Sequence, residues 1–196
     1  MKNIDLEYYQ KGYKLIAGID EAGRGPLAGP IVAAAVILPL NFNNDLINDS
    51  KKIKAEVREK IFEIIKTNSI CWTFSVISHY TIDKINILNA TLLAMKKAAI
   101  KLVPKPDLIL IDGNKKFIAN VETISIVKGD TLSKSIAAAS IIAKVIRDRI
   151  MDRLDFYYPQ YNWKKNKGYP TKLHYEAISK FGISPIHRKS FLKGII

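Results

Sequence analysis

Two short apolar runs near the start of the chain place the strongest constraint on its fold. Residues 15–19 and 31–38 are almost entirely apolar, and the segment between them is rich in Gly and Pro. This arrangement predicts two strands joined by a shaped loop. Because apolar residues point to both sides of such strands, we expect a sheet that is covered on both faces.

The following part of the chain mixes helix and strand patterns. Apolar residues recur at helical spacing over 55–66 and again from about 86 to 102. Further strands are predicted at 71–77, 108–111 and 123–127. The chain therefore has an α/β layer architecture, in which at least one helix crosses between strands of one sheet.

The second half of the chain divides into two regions of different composition. Residues 135–144 are small and apolar on nearly every side, which predicts a helix packed closely against the sheet. Beyond this helix the chain becomes rich in aromatic residues, Pro and Lys, with one more helical pattern at 173–181. A chain of 196 residues with 48% hydrophobic content can bury one substantial core. We therefore expect a main domain over 1–156 and a basic helical appendage over 157–196.

The charge balance points to a polyanionic partner. The chain has 31 Lys and Arg residues against 18 Asp and Glu residues, a formal net charge of +13. Such a charge attracts nucleic acid and supplies an affinity that falls with salt. Basic charge alone is shared by ribosome-associated and merely soluble proteins, so the motifs must decide between these classes.

The single cysteine and the hydropathy pattern bound the location of the protein. Cys71 has no second cysteine with which to form an intramolecular disulfide, and its apolar neighbours predict a buried reduced thiol. The longest early apolar run, 31–38, is far below the ~18 residues that suggest a membrane span. We expect a cytoplasmic monomer without a membrane partner.

Three acidic sites lie where neighbouring elements change: Asp20 with Glu21, Asp112, and Asp130. Ligands of α/β sheets gather outside strand ends, and oxygen ligands of this kind suit Mg²⁺ or Mn²⁺ rather than zinc. In a regular strand Asp20 and Glu21 point to opposite faces. We therefore expect the chain to bend at Glu21, or a backbone carbonyl to replace one of the two side chains.

Each acidic site also has a structural interpretation. Asp20 could pair with Arg24, Asp112 precedes a glycine in a strong turn signal, and Asp130 could favour the start of the next helix. Taken singly, these interpretations are favoured. Three acidic sites together in one small basic domain favour a metal site instead.

The loop after the first acidic pair carries Arg24 between Gly23 and Gly25. A dinucleotide-binding loop is disfavoured, because Pro26 removes a backbone donor and no amphipathic helix follows. Glycines without side chains let backbone groups approach a ligand closely. This pattern places Arg24 near a phosphate or a sugar.

Several residues outside this loop are candidates for substrate contact or catalysis. Tyr169 lies in a Lys-rich segment and could stack on a sugar or base, and Lys51 could lie along a phosphate track. A nuclease without metal would need an acid and a base, for which His79, His174 and His187 are the candidates. Nothing in the sequence pairs them, so His174 and His187 are interpreted as structural or substrate-side residues.

The chain resembles the ribonuclease HII family along most of its length. The resemblance is carried by GIDEAGRGPLAGP at 18–30, DSKK at 49–52, IDG at 111–113, KGD at 128–130, SIAAASIIAKV at 135–145, GYPT at 168–171 with His174, and SPIHRKSF at 184–191. The first and fifth runs are too long to arise by coincidence.

This resemblance implies a ribonuclease H-like fold, a mixed five-stranded sheet flanked by helices, with a small helical C-terminal part closing over the substrate. The implied catalytic residues and ligands of two Mg²⁺ or Mn²⁺ ions are Asp20, Glu21, Asp112 and Asp130. The implied substrate-binding residues are Gly23, Arg24, Gly25, Lys51, Ser140 and Tyr169. The implied reaction is cleavage of the RNA strand of RNA/DNA hybrids and incision 5′ of single ribonucleotides in duplex DNA, leaving 3′-hydroxyl and 5′-phosphate ends.

Two alternatives accompany this interpretation. The related ribonuclease HIII family carries an extra N-terminal domain, whereas only 19 residues precede Asp20 in this chain. A non-catalytic nucleic-acid-binding protein of the same architecture would also need the positive charge, but not the four acids. The tail over 192–196 shows no evident sliding-clamp-binding motif.

Overall fold

The computed structural model describes residues 3–42, 47 and 54–194, and within them five strands form one mixed sheet. The strands are β1 (Ile16–Ala22), β2 (Ile31–Ile37), β3 (Cys71–Ile77), β4 (Leu108–Asp112) and β5 (Glu122–Ile126). Their order across the sheet is β3-β2-β1-β4-β5. The pairs β1–β2 and β2–β3 are antiparallel, whereas β1–β4 and β4–β5 are parallel. The predicted mixed five-stranded sheet is confirmed.

Helices cover the sheet and form most of the C-terminal region. They are α1 (Ile4–Gln10), α2 (Ala55–Asn68), α3 (His79–Ile85), α4 (Ile87–Ile100), α5 (Lys134–Tyr157), α6 (Trp163–Asn166) and α7 (Lys172–Phe181). Side-chain caps begin several of them: the oxygens of Ser78, Asn86, Ser133 and Thr171 accept backbone N–H groups of the first turn. Within the described residues, no helix combines the length and apolar character that crossing a membrane requires.

The sheet is covered on both faces, as the apolar strands predict. One face packs against α4, and the opposite face packs against α2 and the first half of α5. The packing of α5 is close because Gly18 in β1 has no side chain. A Cβ atom at Gly18 would lie 2.0 Å from the carbonyl carbon of Ser135. This contact sets α5 directly over the strand that carries the first acidic pair.

The C-terminal region packs against both the end of α5 and the loop that follows β1. Tyr161, Trp163 and Ile178 share a buried cluster with Ala28 and Met151, and α6 and α7 belong to this region. The predicted basic appendage is therefore helical and lies against the domain. Helix α5 continues through Tyr157, one residue beyond the predicted boundary at 156, and the division into two parts stays a prediction.

The described residues contain three short helices that the sequence did not predict, α1, α3 and α6, and the prediction for Cys71 is corrected. Helices α1 and α3 have seven residues each, which is too short for a clear helical period. Helix α1 depends on tertiary contacts, since the Asp5 carboxylate accepts the Ser135 N–H at 2.9 Å at the start of α5. Cys71 is a free thiol and is half-buried rather than fully buried.

Candidate active site

The first two acidic sites meet at one edge of the sheet. Asp20 and Glu21 lie near the end of β1, and Asp112 is the last residue of β4. Because β1 and β4 are parallel neighbours, with Ile19 paired to Ile111, their carboxyl ends lie side by side. A cleft of about 390 Å³ opens at this edge. Its lining includes Asp20, Glu21, Gly23, Arg24, Gly25, Arg58, Asp112, Ser140, Lys144, Arg147, Asp148 and Tyr169.

The expected bend at Glu21 does not occur. Strand β1 keeps its pairing with β2 through Glu21 and Ala22, so the backbone stays regular. Asp20 lies on the α5 side, where its carboxylate meets Ser140, and Glu21 also borders α4 near Met95. Both residues line the cleft because they lie near the end of the strand, and the alternative of a backbone carbonyl as a ligand stays a prediction.

The carboxylates at this edge repel one another. Burial raises the pKa of Asp20 well above its usual value, and the charges of Glu21 and Asp112 raise it further. Hydrogen bonds from Ser140 and from the Glu21 N–H oppose that shift. Burial also raises the pKa of Glu21, Arg24 opposes the shift, and Asp112 adds to it. A cation bound among these groups would relieve this repulsion.

Asp112 and Asp130 are linked through one backbone group. The Gly129 N–H donates to Asp112 Oδ1 at 2.6 Å, and Asp130 follows in a 3₁₀ turn over Gly129–Thr131. Asp130 is buried and is not among the residues that line the cleft. The side chain that caps α5 belongs to Ser133, whose Oγ accepts the Ile136 N–H at 3.1 Å. The capping interpretation of Asp130 is therefore not the observed one.

The chemistry of the donor set fits a hard divalent cation. Asp20, Glu21 and Asp112 offer only oxygen ligands, which Mg²⁺ and Mn²⁺ prefer. Among the residues that the structure describes, no three or more His, Cys, Asp or Glu side chains are close enough together to hold a metal ion in their present positions. The carboxylates contact other donors, including the Arg24 guanidinium, which lies 3.4 Å from Glu21 Oε1. Arg24 thus pairs with Glu21 rather than with Asp20, its expected partner.

The glycine loop and Tyr169 form another wall of the same cleft. Gly23 has φ +102°, and a Cβ atom there would lie 2.2 Å from Arg147 Nε. A Cβ atom at Gly25 would lie 3.7 Å from Tyr169 Cε1, so this glycine faces the tyrosine ring. The Arg147 guanidinium carbon lies 5.8 Å from the centre of that ring. The structure therefore brings Gly23, Gly25 and Tyr169 together, as the resemblance implied.

The other two predicted substrate contacts differ in what the structure describes. Ser140 lines the cleft beside Asp20, on the face of α5 that meets the sheet. Lys51 lies outside the described residues. The role of Ser140 as a substrate contact stays a prediction.

A cluster of basic residues in the cleft was missed from the sequence. Asp148 lies 3.3 Å from Arg58 and 3.4 Å from Lys144, and Arg147 is buried beside them. Burial lowers the pKa of Lys144, and Asp148 opposes that shift. The signal was the i, i+4 spacing of Lys144 and Asp148 at the point where α5 changes from apolar to charged residues.

Two of the three histidines are brought together, although they lie far apart in the sequence. His174 Nε2 and His187 Nε2 are 3.1 Å apart, and both rings are almost completely buried. Neither residue lines the cleft. This placement agrees with the structural interpretation of these histidines, and it identifies a pairing that the sequence did not reveal.

Comparison with known proteins decides the family. The family model described as Ribonuclease HII matches residues 17–193. This chain belongs to the ribonuclease HII family. A ribonuclease HII from Acetivibrio thermocellus is 57% identical over 192 residues, which cover 98% of this chain and 75% of that protein. A ribonuclease HII from Rickettsia bellii is 54% identical and covers 98% of both chains.

Solved structures agree with this assignment. The crystal structure of the ribonuclease H2 from Pyrococcus horikoshii has a TM-score of 0.78 at 26% identity. The match covers 92% of this chain and 96% of that chain. The ribonuclease H-like fold predicted from the sequence is therefore confirmed. As a member of the ribonuclease HII family, the protein is a metal-dependent nuclease that acts on nucleic acid.

Proposed function

We propose that this protein cleaves the RNA strand of RNA/DNA hybrids and incises duplex DNA on the 5′ side of single embedded ribonucleotides. The observation that carries the proposal is the construction of one cleft from two kinds of wall. Asp20, Glu21 and Asp112 form an acidic wall at the ends of two strands, and the glycine loop with Tyr169 forms the other. The first suits phosphate hydrolysis, and the second suits recognition of a sugar.

The acidic wall would hold the divalent cations on which the family depends. We assign Asp20, Glu21 and Asp112, which line the cleft, as metal ligands. We assign Asp130 as a fourth ligand, because the N–H of the adjacent Gly129 donates to Asp112 and so links Asp130 to this group. Bound Mg²⁺ or Mn²⁺ would supply an activated water and would stabilise the charge on the leaving oxygen. The products would carry 3′-hydroxyl and 5′-phosphate ends.

The loop wall would recognise the ribose rather than the base. A 2′-hydroxyl donates and accepts hydrogen bonds, so backbone groups of Gly23, Arg24 and Gly25 can distinguish RNA from DNA. Tyr169 is 40% exposed and its ring faces Gly25, which leaves a surface for stacking on the next sugar. Specificity would therefore follow the sugar and not the sequence of bases.

Lys144 would bind the phosphate backbone, because its side chain lines the cleft beside the acidic wall and is 39% exposed. Arg147 also lines the cleft, but it is buried and its guanidinium donates to the carbonyls of Ala28, Pro30 and Lys167. Lys51 and Ser140 are proposed as further contacts with the substrate strand. We retain the monomeric state and the cytoplasmic location as predictions from the sequence.

The proposal is tested with an end-labelled DNA duplex that carries one ribonucleotide, beside an all-DNA duplex. With Mg²⁺ or Mn²⁺ we expect one cut on the 5′ side of the ribonucleotide, and no cut with chelator. Cleavage of an RNA/DNA hybrid but not of the single-ribonucleotide duplex would limit the activity to hybrids. Salt-sensitive binding without any cleavage would favour a binding protein.

A further inference from the structure

A buried arginine near the C-terminus holds the glycine loop. Arg188 is fully buried, and its guanidinium donates to four carbonyl groups of the segment 23–30. The acceptors are Gly23 O at 2.7 Å, Gly29 O at 3.0 Å, Arg24 O at 3.1 Å and Pro30 O at 3.1 Å. Arg188 therefore holds most of the loop, and Arg147 adds hydrogen bonds to Ala28 O at 3.2 Å and Pro30 O at 3.0 Å.

His187, the residue before Arg188, belongs to a series of hydrogen bonds in which each group donates to the next. The Ser184 N–H donates to His187 Nδ1 at 2.9 Å, so this nitrogen carries no proton and the ring proton is on Nε2. His187 Nε2–H then donates to His174 Nε2 at 3.1 Å. The indole N–H of Trp163 donates to the same nitrogen at 3.1 Å. His174 Nε2 must therefore be the acceptor, and its proton is on Nδ1.

The chain of hydrogen bonds ends at the backbone of Tyr169. With its proton on Nδ1, His174 donates to the Tyr169 carbonyl at 2.9 Å. The two tautomers are assigned from groups that can donate but cannot accept a hydrogen bond. The Ser184 amide fixes the tautomer of His187, and the Trp163 indole fixes that of His174. His187 and Arg188 are adjacent, so a single dipeptide holds Tyr169 on one side and the glycine loop on the other.

Direct backbone contacts reinforce this link. Ala28 and His187 form an isolated antiparallel bridge, and the Arg188 N–H donates to Leu27 O at 2.8 Å. The Leu27 N–H in turn donates to Gly168 O at 2.7 Å, next to Tyr169. The loop thus lies between the segment 186–188 and the residue that precedes Tyr169.

We infer that Arg188, His187 and His174 are positioning residues that set the geometry between the glycine loop and Tyr169, and thereby the discrimination of ribose from deoxyribose. The inference rests on the proposed function, because it takes the glycine loop and Tyr169 as the sugar-binding parts of the cleft. None of the three residues lines the cleft. They act through the backbone groups that they hold.

The cost of burying these groups supports a positioning role. Burial, together with the nearby Arg147 charge, lowers the pKa of Arg188 to about 9. A charged side chain that only filled space would be replaced with little loss by an apolar one of similar volume. The four hydrogen bonds to one loop indicate that the role of Arg188 is to hold the loop carbonyls in place with its N–H groups.

A matched pair of substitutions at His174 tests the chain of hydrogen bonds. In His174→Asn the amide N–H takes the place of Nδ1–H and can still donate to the Tyr169 carbonyl. In His174→Gln the amide reaches the position of Nε2, so the contacts with Trp163 and His187 can persist while the contact with Tyr169 is lost. Both replacements are neutral and polar, and thermal melts establish that each variant is folded.

The first measurement is kcat/KM on the single-ribonucleotide duplex, together with the Kd for the all-DNA duplex. For His174→Gln we expect kcat/KM to fall about tenfold while the Kd stays within about twofold, since small misplacements of substrate-contacting groups slow turnover. His174→Asn is expected to retain about a third or more of the wild-type kcat/KM. Equal losses in the two variants would overturn the inference.

A double-mutant cycle tests the link between the glycine loop and Tyr169. Arg188→Lys keeps the charge but cannot reach all four carbonyls, and it is combined with His174→Gln. If Arg188 and His174 hold the same arrangement of the glycine loop and Tyr169, the loss of ribonucleotide discrimination in the double variant is smaller than the product of the two single losses. Independent, multiplicative losses would contradict a common positioning role.

A readout without catalysis separates failure of this inference from failure of the proposed function. Amide hydrogen exchange is measured over 23–30 and 167–171, with α4 as the internal control. His174→Gln is expected to raise exchange in both segments, and His174→Asn in neither. If wild type does not cut at a ribonucleotide but exchange behaves in this way, the proposed function fails and the positioning unit stands. Unchanged exchange in His174→Gln, with wild-type cleavage intact, would remove the positioning unit alone.

Discussion

The two walls of the cleft are built on opposite principles. On the acidic wall, regular strands bring together Asp20, Glu21 and Asp112, and the charge of Asp112 adds to the effect of burial in raising the pKa of both Asp20 and Glu21. On the loop wall, an irregular backbone has its carbonyl groups satisfied by the buried guanidinium of Arg188. The acidic wall keeps an electrostatic cost that a bound cation would remove, whereas the loop wall is complete without a ligand. The difference separates the part that does the chemistry from the part that holds a shape.

The sharpest test of the acidic wall is Asp20→Asn. Removing the charge should lower turnover on a ribonucleotide-containing duplex by at least ~10³-fold, because a proposed metal ligand is lost. Since the folded protein raises the pKa of Asp20, the same change should also increase thermal stability at neutral pH. The measurements are single-turnover cleavage and a thermal melt.

The control for this test is Glu63→Gln, which removes a carboxylate from the exposed surface of α2. It should leave both cleavage and melting temperature nearly unchanged. Wild-type turnover by a pure, folded Asp20→Asn protein would contradict the catalytic assignment. Loss of turnover with loss of stability would show that Asp20 serves the fold instead.

The histidine pair should make the support of the loop wall sensitive to acid. Burial and the neighbouring His174 and His79 lower the pKa of His187 from 6.5 to about 4. Between these two values the unfolded chain binds the proton more readily, so stability falls as pH drops from 6.5 towards 4 and this loss is complete below 4. The contribution is on the order of 3 kcal/mol.

Denaturant unfolding at several pH values compares wild type with His187→Gln. The variant should show a shallower decline in stability between pH 6.5 and 4. Burial also lowers the pKa of His174, so part of the slope should persist. Identical slopes in the two proteins would show that His187 does not stay neutral in the fold.

Two glycines of the loop distinguish shape from function. Gly23→Ala adds a Cβ atom 2.2 Å from Arg147 Nε at a φ of +102°, and should cost about 2 kcal/mol of stability. Gly25→Ala meets Tyr169 only at 3.7 Å, so its stability should change by less than about 0.5 kcal/mol. Its cleavage of a single ribonucleotide should nevertheless decline, because the new methyl group faces the proposed sugar site. Denaturant unfolding and kcat/KM are measured for both variants.

The tyrosine ring should have a smaller effect on turnover than the Asp20 carboxylate. Tyr169→Ala should reduce kcat/KM on the ribonucleotide duplex about tenfold through the loss of stacking. Tyr169→Phe keeps the ring and should stay close to wild type. An equal loss of affinity for the all-DNA duplex would identify Tyr169 as a general packing or phosphate-side residue.

Much of the fold was predictable because it depends on local patterns. The apolar runs at β1 and β2 and the periodic stretches at α2, α4 and α7 place the predicted elements within a few residues of their observed bounds. Helix α1 was not predictable, because its short sequence is held by a contact between Asp5 and Ser135, 130 residues apart. The apolar runs already predicted five strands, and the family resemblance supplied the ribonuclease H-like arrangement of the sheet.

The site was predictable where a motif lies within one segment. The acidic pair and the glycine loop are contiguous, so their chemistry can be read from neighbouring residues. Arg58 and Asp148 meet only across two helices, and His174 meets His187 only after the C-terminal region folds back. The prediction of a bend at Glu21 was wrong, because β1 keeps its regular pairing with β2 through Ala22.

The sequence by itself determined the mixed sheet, the family and the candidate acids, because apolar periodicity and contiguous motifs are properties of neighbouring residues. Only the tertiary structure decided how the cleft is assembled. The parallel pairing of β1 with β4 brings Asp112 beside Asp20, and the buried Arg188 holds a loop more than 150 residues earlier in the chain. Charge repulsion and hydrogen bonding act through space, so their outcome depends on distances that no local pattern of residues contains.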